Sequence, residues 1–206
     1  MIAPEKCPSS LSTFEERNAL MAEMGVDVLV AQPFTPETMN LLPEEYVGHL
    51  VRRFHPTDVV CGYNHTFGKK GQGTPALLTA LGAGLGFATS IVPQITYEGS
   101  SVSSTVIRGI LKNGDVDVAA RLLGRTYHLN ADLVLRKENI CTLELAHDGK
   151  QRLPDGSYRA ACKDGRHCYP VVVHCKGDEA RMKLPASCAL EDTVQLHMLC
   201  NCAVGF

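Results

Sequence analysis

Three hydroxyl residues stand in a row at Ser103-Ser104-Thr105, with Arg108 one helical turn beyond Thr105. At a helix start these hydroxyls sit among unpaired N–H groups, at the positive end of the dipole. That setting suits an anion. Arg108 adds a guanidinium able to grip phosphate oxygens through two parallel bonds. Ser-Ser-Thr-x-x-Arg is therefore a candidate phosphate clamp; an ordinary capped surface helix with an exposed arginine fits the same residues. The flanks support a helix either way. Ser103 can cap it, Val106, Ile110 and Leu111 fall on one side, and Gly114 suits a left-handed stop. Asp115 then caps a second short helix with Val118, Ala119 and Leu122 as its stripe and Gly124 as its end.

The elements ahead of this clamp have a regular rhythm. Leu11-Ser-Thr-Phe-Glu-Glu-Arg predicts a helix capped by Ser12 or Thr13, with Glu15 or Glu16 closing a capping box and Gly25 as the stop. Leu20, Met21 and Met24 are its candidate apolar face. Val26–Ala31 (VDVLVA) is a short β-branched apolar run of the kind found in strands buried on both faces. Thr35-Pro36 and Pro43-Glu44-Glu45 open two helices, the second carrying Val47, Leu50 and Phe54 on one stripe. Asp58–Gly62 predicts a buried strand, Thr74-Pro75 a helix start, Phe87–Val92 a third strand, and Ile95–Tyr97 a short extended piece before a turn at Glu98-Gly99. Alternating helices and strands of this kind predict an α/β fold with a doubly wound, Rossmann-like sheet, whose ligands sit at the carboxyl ends of the strands. The loop after Asp58–Gly62 is such an end, and so is the one leading to Ser103.

That first loop holds Asn64, Phe67, Gly68, Lys69 and Lys70. Asn64 can bond a ribose, a base edge or a phosphate, or simply form a turn. Phe67 can line a ligand pocket or belong to the core. The lysines can steer phosphates or be solvated loop charges.

The totals bound the class. The 206 residues suffice for one domain or a domain plus a small one, 45% are apolar, and the net charge of −2 leaves no footprint for nucleic acid or an acidic membrane. No apolar run approaches the ~20 residues that span a bilayer, and the first ten residues, expected as a loop, lack a signal-peptide pattern. A soluble, cytoplasmic protein is expected. Of nine cysteines, Cys162, Cys168, Cys175, Cys188, Cys200 and Cys202 crowd the last quarter. His197 with Cys200-x-Cys202, or His174 beside Cys175, would be the zinc reading. The long, irregular spacings favour small buried apolar side chains and no metal.

Residues Ser103 to Tyr127, reading SSTVIRGILKNGDVDVAARLLGRTY, resemble bacterial FAD synthetases, the FMN adenylyltransferase part of the bifunctional riboflavin kinase/FAD synthetase family. Further phrases carry the likeness: LSTFEER, MGVD, FTPETM, PEEYV, and the Asn64–Gly68 stretch, so that it runs from about Leu11 to Tyr127. The resemblance implies a nucleotidyltransferase domain over residues 1–127, with ATP and FMN as substrates, FAD and pyrophosphate as products, and Mg2+ in attendance. It implies that Ser103, Ser104, Thr105 and Arg108 hold nucleotide phosphates, that Arg108 stabilises the charge of the reaction, that Asn64 seats nucleotide or flavin, and that Phe67 lines the flavin. One departure matters. The family's Gly-x-Phe-Asp-Gly-Val-His-x-Gly-His motif is absent, and its strand is normally central in the sheet. Exposed edges or apolar faces are therefore expected, as is a longer reading frame, or repair by the C-terminal half or by a partner chain. Strong adenylyl transfer is not expected from these residues alone; a non-catalytic flavin or nucleotide binder is the alternative.

Residues 128–206 have another texture. ICTLELA, SYRAAC, CYPVVVHC and TVQLHML alternate or run apolar at strand length. Turns at Asp148-Gly149, Asp155-Gly156, Asp164-Gly165 and Gly177-Asp178 separate them. A small antiparallel sheet or barrel is predicted. Its place, and LPDGSYRA, resemble the family's riboflavin kinase barrel, but the G-R-x-x-G-x-P-T-A-N stretch is replaced by RKEN, which implies that kinase activity is lost.

Overall fold

The computed structural model describes residues 7–202; part of the loop expected over the first ten residues, and the last four residues, lie outside them. The helices form where their caps predict. Helix α1 (Phe14–Glu23) is capped by Thr13, whose side chain accepts from the Glu16 amide while Glu16 reaches back to the Thr13 amide. Gly25, at φ +82°, follows its end. Thr35 caps α2 (Pro36–Asn40), and α3 spans Pro43–Phe54. Strand β1 (Asp58–Gly62) leads through a loop to α4 (Pro75–Leu85), capped by Thr74, and then to β2 (Ala88–Val92). A two-residue hairpin, β3 (Thr96–Tyr97) and β4 (Ser100–Ser101), turns at Glu98-Gly99. Helices α5 (Ser104–Lys112) and α6 (Val116–Leu123) follow, then strands β5 (Tyr127–Lys137), β6 (Ile140–Leu145), β7 (Gly156–Lys163), β8 (Cys168–Lys176), β9 (Glu179–Lys183) and β10 (Thr193–Cys202).

These elements sort into two compact units, residues 27–101 and residues 7–26 with 102–202. In the first, β1 and β2 pair in parallel from Asp58 opposite Ala88 to Gly62 opposite Val92. Val47, Phe67, Leu78 and Phe87 form its core, with Val59 and Cys61 packed against them. Gly82 is required there, since a methyl on it would stand 2.7 Å from the Phe87 carbonyl oxygen.

Two expectations are corrected in this unit. Val26–Ala31 is not a strand: it is irregular and exposed, with Val28 74% accessible. A β-branched run becomes a strand only when a neighbour takes its backbone groups, and among the described residues none does. The doubly wound sheet accordingly has two strands. Nor is β1 buried on both faces. Val59 and Cys61 face the core, while Val60 is 66% accessible and Ile91 and Val92 of β2 are exposed too. A parallel sheet normally carries cover on both sides. Here the second side is bare, in line with the exposed apolar faces expected from the absent motif.

The second unit is built on a closed six-stranded barrel, ordered β10-β5-β6-β9-β8-β7, all antiparallel. Strict alternation does the work: along β10, Val194, Leu196 and Met198 point inward between Thr193, Gln195 and His197. Tyr127, Leu143, Tyr158, Val173 and Met182 complete a core without an open edge. Two buried tyrosines find partners, Tyr127 donating to the Gln151 carbonyl at 2.6 Å and Tyr158 to that of Pro154 at 2.8 Å. Helices α5 and α6 join the same core through Ile107, Leu111, Val116 and Ala119. Of the expected stripes, Leu111 and Ala119 are buried and Ile110 and Leu122 pack against the core; Val106 is exposed and Val118 half-buried, with Ile107 and Val116 buried in their stead.

The contrast between the units is testable. Leu143→Ala, which empties a fully buried site in the barrel, is expected to cost about 3 kcal/mol. Val60→Thr, on the bare face, is expected to stay within about 0.5 kcal/mol. Urea unfolding of the two variants measures both.

Candidate functional site

The phosphate clamp forms as a helix start. Ser103 is extended (φ −149°, ψ 156°) and its hydroxyl accepts from the Val106 amide at 3.3 Å, so this residue is spent on capping. The amides of Ser104 and Thr105 precede any intrahelical partner, and both side chains are exposed. Arg108 folds back over this turn. Its guanidinium donates to the Thr105 hydroxyl at 3.3 Å and to the Ser9 carbonyl at 3.5 Å. Among the described residues no carboxylate pairs with it. Ile107 and Leu111 nail the helix to the barrel core, which fixes the direction in which Ser104, Thr105 and Arg108 stand.

Asn64 and Phe67 belong to the first unit. Asn64 is exposed, two residues past the carboxyl end of β1. The loop around it is closed by paired backbone bonds between Phe67 and Gly73, at 3.3 and 2.8 Å. The Phe67 ring lies against Gly73, where a methyl would come within 2.5 Å of it, and near the rings of Tyr46 and His65, each 5.8 Å away. At 7% accessible it is part of the core and holds the loop's shape. Lys70 adopts a left-handed backbone (φ 54°) and is exposed, and Lys69 is half-buried. A cavity of about 680 Å³ also lies in this unit, lined by Val30, Leu41, Tyr46, Leu50, Arg53 and Phe54 among others.

A buried polar cluster in the second unit had no counterpart among the expected site residues. Lys150, whose side chain is 2% accessible, places Nζ 2.7 and 2.9 Å from the two carboxylate oxygens of Glu16 and 2.6 Å from the His128 carbonyl. Asn130 donates to Glu16 at 2.9 Å and to Asp148 at 3.0 Å. Burial alone would raise the Glu16 carboxyl, but the hydrogen bonds from Lys150 and Asn130 prevail and hold it below its ordinary value. Burial draws Lys150 down, with Glu16 opposing. Only Glu16 was visible in the sequence, as a capping residue. Nothing in the Asp148-Gly149-Lys150 turn marks its lysine as buried.

The expectation of small buried apolar groups holds for three cysteines of the barrel; Cys168 is exposed, and Cys188, Cys200 and Cys202 are half-buried. Cys141, Cys162 and Cys175 are buried, and burial pushes the thiols of Cys162 and Cys175 up to about 12 and about 11. Among the described residues no grouping of three or more His, Cys, Asp or Glu is placed to hold a metal ion, and no helix is long and apolar enough to cross a membrane.

The architecture is an α/β unit with a short parallel sheet, and a closed antiparallel β barrel. The FAD synthetase family model matches residues 1–106. The chain belongs to the FAD synthetase family. It is 32% identical over 117 residues to a bifunctional riboflavin kinase/FMN adenylyltransferase of Listeria monocytogenes, a match covering 57% of this chain and 37% of the relative. The corresponding protein of Bacillus subtilis is 27% identical over 135 residues, 65% of this chain and 42% of the relative. An FAD synthetase of Listeria monocytogenes is 28% identical over 114 residues, 55% of this chain and 46% of that protein. In each case the match takes in less than half of the relative's length. The fold is similar to the crystal structure of a macrolide-efflux protein from Streptococcus pneumoniae, with a TM-score of 0.82 and 21% identity, covering 94% of this chain and 67% of that one.

The polar cluster yields a prediction. Lys150→Met strands the Glu16 carboxylate in a buried site and is expected to cost about 3 kcal/mol. Adding Glu16→Gln should return part of that loss, because it removes the orphaned charge. Denaturant midpoints of the two variants measure the coupling.

Proposed function

We propose that the chain acts as an FMN adenylyltransferase: an FMN phosphate oxygen attacks the α-phosphorus of ATP, the bond to the β-phosphate oxygen breaks, and FAD and pyrophosphate leave. The observation that carries this reading is the start of α5. Exposed Ser104 and Thr105 and an arginine without an acidic partner among the described residues stand on a helix N-terminus, in a member of the FAD synthetase family. The amides and hydroxyls of Ser104 and Thr105 hold ATP phosphates, with Ser103 fixing the helix start that presents them. Arg108 exchanges its Thr105 bond for phosphate oxygens and balances the charge that grows as pyrophosphate departs. Asn64 bonds nucleotide or flavin, and Phe67 keeps the loop that carries it in shape beside the flavin. Among the described residues no carboxylate cage stands ready for Mg2+, which would arrive on the phosphates of ATP. The cytoplasm is the proposed location.

A second reading, a binder of flavin or nucleotide without turnover, is favoured by two observations. The described sheet has two strands with a bare face, and no His-x-Gly-His occurs. A partner chain completing that sheet would restore the first reading.

One experiment separates them. The chain is incubated with ATP, FMN and Mg2+, and FAD is measured by chromatography. Turnover that falls about 100-fold in Arg108→Ala supports the first reading, on the scale of losing one charge-stabilising donor. Quenching of flavin fluorescence without FAD formation supports the second. If neither occurs, both fail.

A further inference from the structure

Helix α1 is attached to the barrel in an unusual way. It has no buried residue, and its apolar side chains Phe14, Met21 and Met24 are exposed. The expected face of Leu20, Met21 and Met24 therefore does not anchor it. Much of the hold lies in the stretch that leads into it. Ser10 runs parallel to Lys150, its amide donating to the Gly149 carbonyl and its carbonyl accepting from the Gln151 amide, at 2.8 Å each. Leu11 packs against the barrel core, Ser12 is buried, and the Ser10 hydroxyl donates to the Ser12 carbonyl. Glu16 then closes on Lys150. The receiving turn is itself fixed. Gln151 is buried and its carbonyl accepts from Tyr127 of the barrel core, while the Lys150 amide donates to Asp148 at 3.0 Å.

One residue ahead of this anchor stands Ser9, and its carbonyl accepts from Arg108. The guanidinium has two different partners: Nη1 donates to Ser9 at 3.5 Å and Nη2 to the Thr105 hydroxyl at 3.3 Å. Arg108 therefore lies between its own helix and a segment 99 residues earlier in the chain.

We infer that the Ser10–Lys150 bridge positions Arg108: it holds the Ser9 carbonyl where that oxygen fixes one guanidinium nitrogen, and it leaves the other nitrogen to turn onto phosphate. The inference rests on the role proposed above for the start of α5. A carbonyl suits this task. A carboxylate in its place would neutralise the guanidinium and compete with phosphate, whereas a carbonyl orients the group and leaves its charge whole. An arginine side chain has many rotamers, and one tied only to its own turn would lose them when phosphate arrives. With Nη1 already placed, less freedom is left to lose, and the fork meets phosphate in a set orientation. Ser10 and Lys150 set this geometry and act through Arg108. Because Arg108 serves the charge that grows as pyrophosphate departs, their effect falls on turnover more than on ATP binding.

Kinetics of FAD formation by the full chain test this. Ser10→Pro removes the amide bond to Gly149 and spares Lys150; Lys150→Met removes the pair with Glu16. Each is expected to lower kcat about tenfold, less than Arg108→Ala does, and to leave the KM for ATP within about twofold. In an Arg108→Ala background neither substitution should lower kcat more than about twofold. A fall as large there as in the unaltered chain, or no fall in either, overturns the inference. If the unaltered chain forms no FAD, the adenylyl-transfer reading fails by itself, and the Arg108 Nε resonance of the free protein decides the positioning role. A nitrogen–proton NOE typical of an ordered side chain, reduced in Ser10→Pro and Lys150→Met, agrees. Equal values in all three proteins overturn it.

Discussion

The ion pair between Glu16 and Lys150 governs more of this structure than its single contact suggests. Both groups are withdrawn from water, which is costly for charges unless each finds several partners. They do: Lys150 spends its protons on the carboxylate and the His128 carbonyl, and Glu16 also takes bonds from Asn130 and the Thr13 amide. One carboxylate thus starts a helix, neutralises a buried lysine and ties residues 7–26 to a barrel formed from residues after 126. Removing either partner costs more than the pair's net worth, because the other is left charged in a dry place.

The two units solve the problem of exposed backbone in opposite ways. The barrel closes on itself and has no edge, and its alternating strands bury Leu, Val, Met and Tyr on one side only. Helices α5 and α6 are extensions of that core, so the clamp at Ser104, Thr105 and Arg108 stands on the best-packed part of the molecule. The parallel pair in residues 27–101 keeps one covered face and one bare face. Family membership is carried by residues 1–106, most of which fall in this second kind of packing.

Local chemistry was readable from the chain, and distant chemistry was not. Caps at Thr13, Thr35, Thr74 and Ser103 and stops at Gly25, Gly114 and Gly124 are decided within a few residues, so each is found where its residues predict. The helix start carrying the clamp was legible for the same reason. Val26–Ala31 was misread because a β-branched run states a preference, while a strand needs a partner. Strand β9, Glu-Ala-Arg-Met-Lys, escaped notice because its two inward residues are hidden among charges, though it alternates as faithfully as β10. The Lys150 site was out of reach, since its partner lies 134 residues away in sequence.

That separation bears on how the chain reaches its final state. Helix α1 is made before the barrel and has no apolar stripe with which to collapse onto anything nearby. Its dock is complete only after the 148–151 turn, with β10 closing the barrel later still. A short helix without tertiary support is marginal in water, and closing so long a loop carries an entropic cost that only the finished dock can offset. Residues 7–26 should therefore be a late passenger in folding, joining a barrel that has already assembled without them.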